Sequence, residues 1–419
     1  MLLKPAAGTP AVRSDLPFVE FVALIAAMIA LTALAIDVML PALGNIGEEL
    51  GLAEDNHRQL VITFYLFGFS AGQIVFGPLS DRYGRKRPLY IGLVIFAVAS
   101  ILAALAETAP LLFAARALEG FGAASARIIA IAIVRDRFAG REMARVMSFV
   151  MMTFIVVPVF APLLGQGIMV FAEWRWIFTS LLLASLALLG WAWLRLVETH
   201  PEEKRLPLTA GRLLFAVRSV LATRQTIGNA LAFGCFFGIL MGYIGSVEQI
   251  FVDLYGLKDS FPLVFAGIAI FMIPSFFLNS QLVRRAGMRR VSHYAILAFL
   301  GVCVVMALAG FPEQPPLLLF CLFIVTVFFC FGLIGPNLNA MAMEPMGHIA
   351  GTASSFIGFV TTACGAFFGF LVGQAFDGTV RPLTIGFTLL ALAGLIIVFI
   401  TEGGRLGQPQ HEPPGSPKP

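Results

Sequence analysis

The chain has 419 residues, of which 59% are hydrophobic and only 12% are charged. A water-soluble protein of this length could not bury so much apolar surface, so the composition excludes an ordinary soluble fold and predicts that lipid is the solvent for much of the chain. The net charge of +4 reflects the loops between membrane spans and does not indicate nucleic-acid binding.

Apolar runs long enough to cross a bilayer, about 20 residues each, occur about twelve times along the chain. We predict an all-α membrane protein with twelve transmembrane helices in contact with lipid. The first span is not a cleavable signal peptide, because it is too long and contains Asp37. The predicted spans are 18–43, 58–79, 88–106, 110–134, 144–170, 174–197, 226–252, 262–282, 290–310, 315–340, 350–376 and 381–402.

The positions of the cations predict how these spans are oriented. With both termini in the cytoplasm, cytoplasmic loops and tails hold 22 of the 28 Lys and Arg residues, outside loops hold four, and two (Arg116 and Arg127) lie within spans. Cytoplasmic loops favour Lys and Arg, so this orientation is strongly preferred over its inverse.

The chain divides at its longest internal polar stretch, and the two parts share a motif. Segment 284–290 aligns with segment 81–87 at an offset of 203 residues, with a glycine and several cations in common. This pattern is typical of a parallel repeat in transporters built from two equivalent halves. Arg284 stands at the place of Asp81, so we expect the second copy to be degenerate. The predicted units are a cytoplasmic tail (1–17), a six-helix half (18–199), a cytoplasmic linker (200–225), a second six-helix half (226–403) and a disordered cytoplasmic tail (404–419).

The loop at 77–87 combines a sharp corner with a cluster of charges. Gly77 and Gly84 permit a tight turn, four cations favour the cytoplasmic side, and Asp81 is the single acid among them. Such an acid can bind an arginine, for which Arg85 is available, or the N-terminus of a helix. We interpret the loop as a conformational latch; the alternative is an ordinary basic loop.

Asp37 lies near the end of the first span, four residues before Pro41. Charge inside a span is costly and is a functional candidate by default. Burial favours the neutral form of a carboxyl group and a nearby arginine favours its charged form. We therefore predict that Asp37 binds a proton or the substrate; the alternative is a polar helix end solvated at the outer leaflet.

The fourth span contains Arg116, Glu119 and Arg127. At about 100° per residue, Arg127 falls about 20° from Arg116, and Glu119 is one turn away, so the three charges share one side of the helix. We expect Arg116 to line an interior cavity. The alternatives are an Arg116–Glu119 pair that only neutralises itself, and an Arg127 that extends to the cytoplasmic surface.

The fifth span contains Pro158, Pro162 and Gly165. Proline weakens a helix and glycine allows close packing, so this segment predicts a hinge between the halves. Prolines are also tolerated in ordinary membrane helices, which is the alternative.

The second half contributes polar candidates for a substrate cavity. These are Tyr243 and Glu248 in the seventh span, and Asn337 and Asn339 in the tenth, whose amides could instead bridge helices. The spans contain no His-rich or paired-carboxylate constellation, and the five cysteines lack metal-ligand spacing. The sequence therefore predicts neither an enzyme nor a metal or cofactor site.

These motifs resemble those of the major facilitator superfamily over nearly the whole chain. Segment 77–87 looks like its signature loop, and segment 112–124 is similar to the fourth-helix motif of its proton-coupled members, with Glu119 where Gln is usual. Segment 161–166 resembles the fifth-helix antiporter motif, weakened because Ala161 and Gln166 replace its glycines. Segment 37–41 looks like the first-helix motif of twelve-span drug exporters.

Segments 130–138 and 336–345 resemble the bicyclomycin/chloramphenicol-resistance (Bcr/CflA) branch of that superfamily. The resemblance implies a major facilitator fold in the bacterial inner membrane and export driven by proton entry. It also implies that Asp81, Arg85 and Asp136 form an inner latch, that Arg116 couples proton movement, and that Asp37 binds the proton or the substrate.

We therefore predict a monomeric carrier that alternates access and exchanges protons for a small hydrophobic drug or metabolite. A proton-linked nutrient importer of the same fold is the alternative, and the weakened antiporter motif keeps it open.

Overall fold

The computed structural model describes residues 16–408 except 53, 139, 206, 208 and 309–312. The outer parts of the two predicted tails, 1–15 and 409–419, lie outside the described residues. The described chain is helical and contains no β-strand, as the sequence predicts. Within the part of the chain that the structure describes, eleven helical segments are long and apolar enough to cross a membrane. The predicted fifth span corresponds to a helix of 32 residues, whose apolar part is Val156–Phe171.

The described residues form fifteen α-helices. They are α1 (Phe18–Asp37), α2 (Leu43–Glu49), α3 (Leu60–Tyr83), α4 (Lys86–Ala104), α5 (Ala109–Arg137), α6 (Gly140–Phe171), α7 (Arg175–Arg195), α8 (Ala210–Ala222), α9 (Arg224–Glu248), α10 (Phe261–Ile270), α11 (Ile273–Ala286), α12 (Met288–Leu308), α13 (Leu317–Met343), α14 (Ala350–Gln374) and α15 (Arg381–Thr401).

Prolines interrupt two of the predicted spans. The first span ends as an α-helix at Asp37, because Pro41 has no N–H to donate to the Asp37 carbonyl. The predicted span 262–282 divides into α10 and α11, since Pro274 cannot donate to the carbonyl of Ile270. The predicted linker at 200–225 contains α8, which packs against α9 and α14.

The two copies of the repeated loop have the same backbone conformation. Gly84 follows α3 with a φ of 85°, and Gly287 follows α11 with a φ of 83°. This left-handed region favours glycine and ends a helix sharply. The shared turn supports the predicted repeat at the level of the backbone.

Residues before 201 are here called the first half, and those from 224 onward the second half. Among the described α-helices, two pairs pack most extensively across the boundary between these halves. They are α3 with α14 and α6 with α10. Because α3 has 24 residues, it extends for about 36 Å and carries a charged site at each end. We name the two ends of the bundle by these sites, the Arg58 end and the Arg85 end.

Candidate functional site

A central cavity lies between the two halves. It has about 1060 Å³ of empty space and is lined from α1, α3, α5 and α6 on one side and from α9, α10, α11, α13 and α14 on the other. Aromatic rings make up much of its wall, among them Phe69, Phe237, Phe265, Phe276, Phe328 and Phe331. The cavity therefore has the apolar, concave character of a small-molecule site.

Asp37 is the single acid among the described residues that line this cavity. It is only 3% exposed and sits at the last residue of α1, where the chain bends before Pro41. The Asp37 carboxylate forms no salt bridge with another described residue. A carboxyl group in a largely apolar wall, with no salt-bridge partner among the described residues, is suited to exchange a proton or to bind a cationic group.

Tyr243 brings a second polar group to the same cavity. Its ring lies edge-on to Phe328, with centroids 4.9 Å apart, and stacks on Phe265 at 6.2 Å. Its hydroxyl is buried and has no hydrogen-bond partner among the described residues. Buried polar groups are normally satisfied, so this hydroxyl is available to a bound molecule.

Arg116 does not line this cavity, which corrects the expectation from the sequence. Its side chain is fully buried, pairs with Glu119, and donates to the carbonyls of Ala35 at 3.0 Å and Val61 at 3.1 Å. Glu119 also accepts a hydrogen bond of 2.7 Å from Ser100. These partners lie inside the first half and satisfy the guanidinium there, so Arg116 ties α1, α3 and α5 together.

Arg127 is the cation that lines the cavity. Its guanidinium carbon lies 5.7 Å from the centre of the Phe69 ring. Arg127 also lines a second cavity, which extends to Asp81 and Arg85 and includes Asn339 of α13 in its wall. The two cavities share Arg127, and the second lies toward the Arg85 end.

The latch residues predicted from the 77–87 loop lie together at the Arg85 end. Arg85 donates to Asp136 at 2.7 and 3.1 Å, to Asp81 at 2.8 Å and to Ser80 at 2.9 Å. Burial by itself would lower the pKa of Arg85. The hydrogen bonds and negative charges of Asp136 and Asp81 have the larger effect, so the pKa of Arg85 is raised. Gly77 lies nearby, where α3 meets α14 at Ser355.

Glu198 belongs to this cluster and was not identified from the sequence. It accepts hydrogen bonds from the backbone N–H groups of Arg85 at 2.8 Å, Lys86 at 3.2 Å and His200 at 3.0 Å. A carboxylate at the first turn of α4 satisfies free N–H groups and complements the helix dipole. The available signal was an acid directly after the sixth apolar run.

The second half has a corresponding ion cluster, so the expectation of a degenerate second copy is wrong in part. Arg289 contacts Glu344 and Glu402, each at 3.3 Å, and Gln225 donates to Glu344 at 2.7 Å. Arg284, which replaces the loop acid, is exposed. The second loop has no acid at the position of Asp81. A cation of this loop, Arg289, nevertheless pairs with acids that follow two helices, Glu344 and Glu402.

Two more candidates of the second half lie away from the central cavity. Glu248 is buried at the Arg58 end, where its carboxylate is 3.3 Å from Arg58. Asn337 donates to Asn279 at 2.7 Å and so bridges α13 and α11. Glu248 was a candidate for the substrate cavity but faces Arg58 instead. For Asn337 the sequence left substrate contact and a bridge between helices open, and the structure has the bridge.

The prolines of α6 lie within one continuous helix. Pro158 lines the central cavity. Gly165 packs against the bend after α1, where an added Cβ would be 1.9 Å from the carbonyl oxygen of Val38. Gly165 therefore permits a close helix contact, and a hinge at Pro158 and Pro162 stays a prediction.

Comparison with known proteins places these features in a family context. Residues 22–370 match the Major Facilitator Superfamily. The chain is 30% identical over 381 residues to the uncharacterized MFS-type transporter YdgK of Bacillus subtilis (strain 168), covering 90% of this chain and 93% of the relative. It is 28% identical to the bicyclomycin resistance protein homolog of Haemophilus influenzae (88% and 92% covered) and 30% identical to the chloramphenicol resistance protein of Pseudomonas aeruginosa (91% of each).

The crystal structure of the human organic anion transporter MFSD10 (TETRAN) has a similar fold. Its TM-score is 0.69 at 17% sequence identity, with 92% of this chain and 100% of that chain covered. At this identity the likeness concerns the fold alone.

Proposed function

Because the chain belongs to the major facilitator superfamily, we propose that it exchanges protons for a small hydrophobic drug or metabolite and exports that molecule from the cell. The family and the drug-resistance relatives support transport by a multi-pass protein of the bacterial inner membrane. Proton coupling, the direction of transport, cytoplasmic termini and a monomeric state are the further content of the proposal.

The observation that carries the proposal is Asp37 in the wall of the central cavity. An acid without a cation partner, at a site surrounded by aromatic rings, can bind a proton in one state of the carrier and release it in the other. Tyr243, with its unpartnered hydroxyl on the opposite side of the cavity, provides a polar contact for the transported molecule. Substrate and proton would thus compete for one space between the halves.

The two ends of the bundle differ in a way that suits alternating access. The second cavity, which shares Arg127 with the central cavity, reaches Asp81 and Arg85 at the Arg85 end. At the Arg58 end, polar side chains of the two halves bond to one another. If the Arg85 end faces the cytoplasm, as the cation distribution predicts, the second cavity lies on the cytoplasmic side of the central one.

The remaining charged sites have supporting roles in this cycle. Arg116 holds the Ala35 carbonyl two residues before Asp37, so it acts as a positioning residue for the end of α1. Asp81, Arg85 and Asp136 form the latch at the cytoplasmic end. Pro158 and Pro162 are proposed as the place where α6 bends.

The test is transport by Asp37→Asn in reconstituted vesicles, with chloramphenicol and bicyclomycin in the substrate panel because relatives carry these names. Asparagine cannot exchange a proton, so uphill efflux driven by a pH gradient should be lost, whereas downhill exchange of substrate should continue. Asp259→Asn, at an exposed position of the second half, is the matched control.

Proton-driven accumulation by Asp37→Asn equal to that of the parent would contradict proton binding at Asp37. Movement of substrate in the same direction as protons would support the nutrient importer instead. An uncoupler that leaves efflux from pump-deleted cells unchanged would exclude proton coupling altogether.

A further inference from the structure

The Arg58 end is closed by polar contacts between residues far apart in the sequence. Asn56 donates to the backbone carbonyls of Gln374 at 3.1 Å and Phe376 at 2.7 Å, and Gln249 donates to Asn56 at 2.8 Å. Gln59 bonds to Gln249 and to the carbonyl of Gly373. These neutral bonds join the 3₁₀-helix Asp55–Gln59 of the first half to the turn after α9 and to the C-terminal end of α14 in the second.

A charged group of three residues lies within this closed end. Arg58 is 8% exposed and contacts two acids of the second half, Glu248 and Asp253. Glu248 is the last residue of α9 and is 3% exposed, whereas the Asp253 side chain is 48% exposed and belongs to the π-helix Gln249–Leu254. Such a π-helical turn is uncommon and is found often at functional sites.

The charges in this group do not balance when both acids are ionised. One guanidinium then faces two carboxylates, and the buried Glu248 Oε2, although 3.3 Å from Arg58 Nη1, forms no hydrogen bond among the described residues. Burying a charge without full pairing is costly, and a neutral carboxyl costs much less. A single proton on the buried acid leaves one cation and one anion, and Asp253 already pairs with Arg58.

We propose that Glu248 is a proton-binding residue whose neutral form holds the Arg58 end closed. When this end opens, Glu248 meets water and its charged form is solvated, so the closed state binds the proton more tightly than the open state. By linkage, proton uptake from the solution at this end then favours closure, and proton release favours opening. The inference rests on the proposed alternating access, which it extends by a gate that senses protons.

Other charged groups around Glu248 must be separated from its effect. Asp55 and Lys258 are exposed and lie within electrostatic range of it, together with Arg58 and Asp253. His57, which is 3.4 Å from Glu54, also belongs to this end. These residues define the controls.

The experiment measures the distance between spin labels at Asn45→Cys and Ala375→Cys, in a full-length chain whose five natural cysteines are replaced by alanine. Both positions are exposed and they report on the two halves at the Arg58 end. No substrate is added. The short-distance, closed population of the parent should grow as the pH falls from about 8 to about 5, by at most about tenfold in the closed-to-open ratio per pH unit for one proton.

Glu248→Gln imitates the neutral carboxyl, so this variant should be mainly closed at every pH. Asp253→Asn leaves Arg58 to Glu248 alone, so the charged closed state is better paired and the pH response should be weaker. Asp259→Asn and His57→Gln should respond as the parent does.

The proposal would be overturned if the parent showed no pH response or if Glu248→Gln kept that response. Loss of the pH response in His57→Gln would also overturn it. If Glu248→Gln does not fold, the parent and Asp253→Asn decide the matter. The distances between the labels can be measured without transport. If proton-driven efflux is absent but the label distances still respond to pH, that result would count against the proposed function and not against the gate.

Discussion

The carboxylate of Asp81 lies against the first turn of α14, where a Cβ added to Gly351 would be 3.0 Å from Asp81 Oδ2. Asp81 is at the end of α3 in the first half, and the start of α14 belongs to the second. The first N–H groups of a helix are free of intrahelical partners and carry partial positive charge. One acid therefore faces Arg85 within its own half and a helix N-terminus across the boundary between the halves.

We expect Asp81→Asn to reduce efflux by about tenfold, because the loss of charge at a helix N-terminus and beside an arginine removes about 1–2 kcal/mol from one conformation. Efflux rates in vesicles with equal amounts of inserted protein provide the measurement. Asp377→Asn, in an exposed loop, is the control. Unchanged efflux in Asp81→Asn would reject the latch.

Two arginines of the second repeat should differ in importance. Arg289→Ala removes the partner of Glu344 and Glu402, and Glu402 has a side chain that is only 2% exposed, so efflux and thermal stability should both fall. Arg284→Ala, at an exposed site of the same loop, should stay close to the parent and should matter less than Asp81→Asn. An Arg284→Ala defect larger than that of Arg289→Ala would show that this cluster is not the important one.

Arg116→Ala should destabilise the first half by about 3–5 kcal/mol, because it leaves a buried, charged Glu119 without its partner. Arg116→Ala/Glu119→Gln should recover most of the folded protein, since neither charge remains. Its proton-driven efflux should remain low, because no side chain then holds the Ala35 carbonyl beside Asp37. Unfolding temperature in detergent and vesicle efflux are measured on the same samples, and Arg116→Lys, which keeps the charge, should retain part of the activity.

Full efflux in the double variant would contradict the positioning role of Arg116. Equal stability of the single and double variants would instead show that Glu119 does not need its charged partner.

Gly165→Ala should lower the unfolding temperature, because the new methyl group meets the Val38 carbonyl at 1.9 Å and separation of α6 from α1 costs about 1–3 kcal/mol. Gly167→Ala, two residues later, meets nothing within 4 Å and should be neutral or slightly stabilising through its higher helix propensity. If the two variants unfold at the same temperature, the contact of α6 with the bend after α1 is looser than described.

The sequence by itself determined the features that depend on local spacing. Apolar runs predicted the spans, since the bilayer requires helices of a set length with few charges. Arg116 and Glu119 are one turn apart within α5, so their pairing could be anticipated from helix geometry. Asp81 and Arg85 lie on either side of the Gly84 turn, and their closeness in sequence made Arg85 a candidate partner for the acid. The repeated glycine predicted the left-handed turn that Gly84 and Gly287 share.

Only the tertiary structure decided which side a charged residue faces and what it meets across the halves. Arg58 and Asp253 are 195 residues apart, and no spacing rule joins them. Arg116 turned into its own half because the carbonyls of Ala35 and Val61 come from two other helices. Helical periodicity gives the angle of a side chain around its own axis, but the neighbours at that angle depend on how all the helices pack, and that packing places Asp37 in the cavity wall and Glu248 at the closed end.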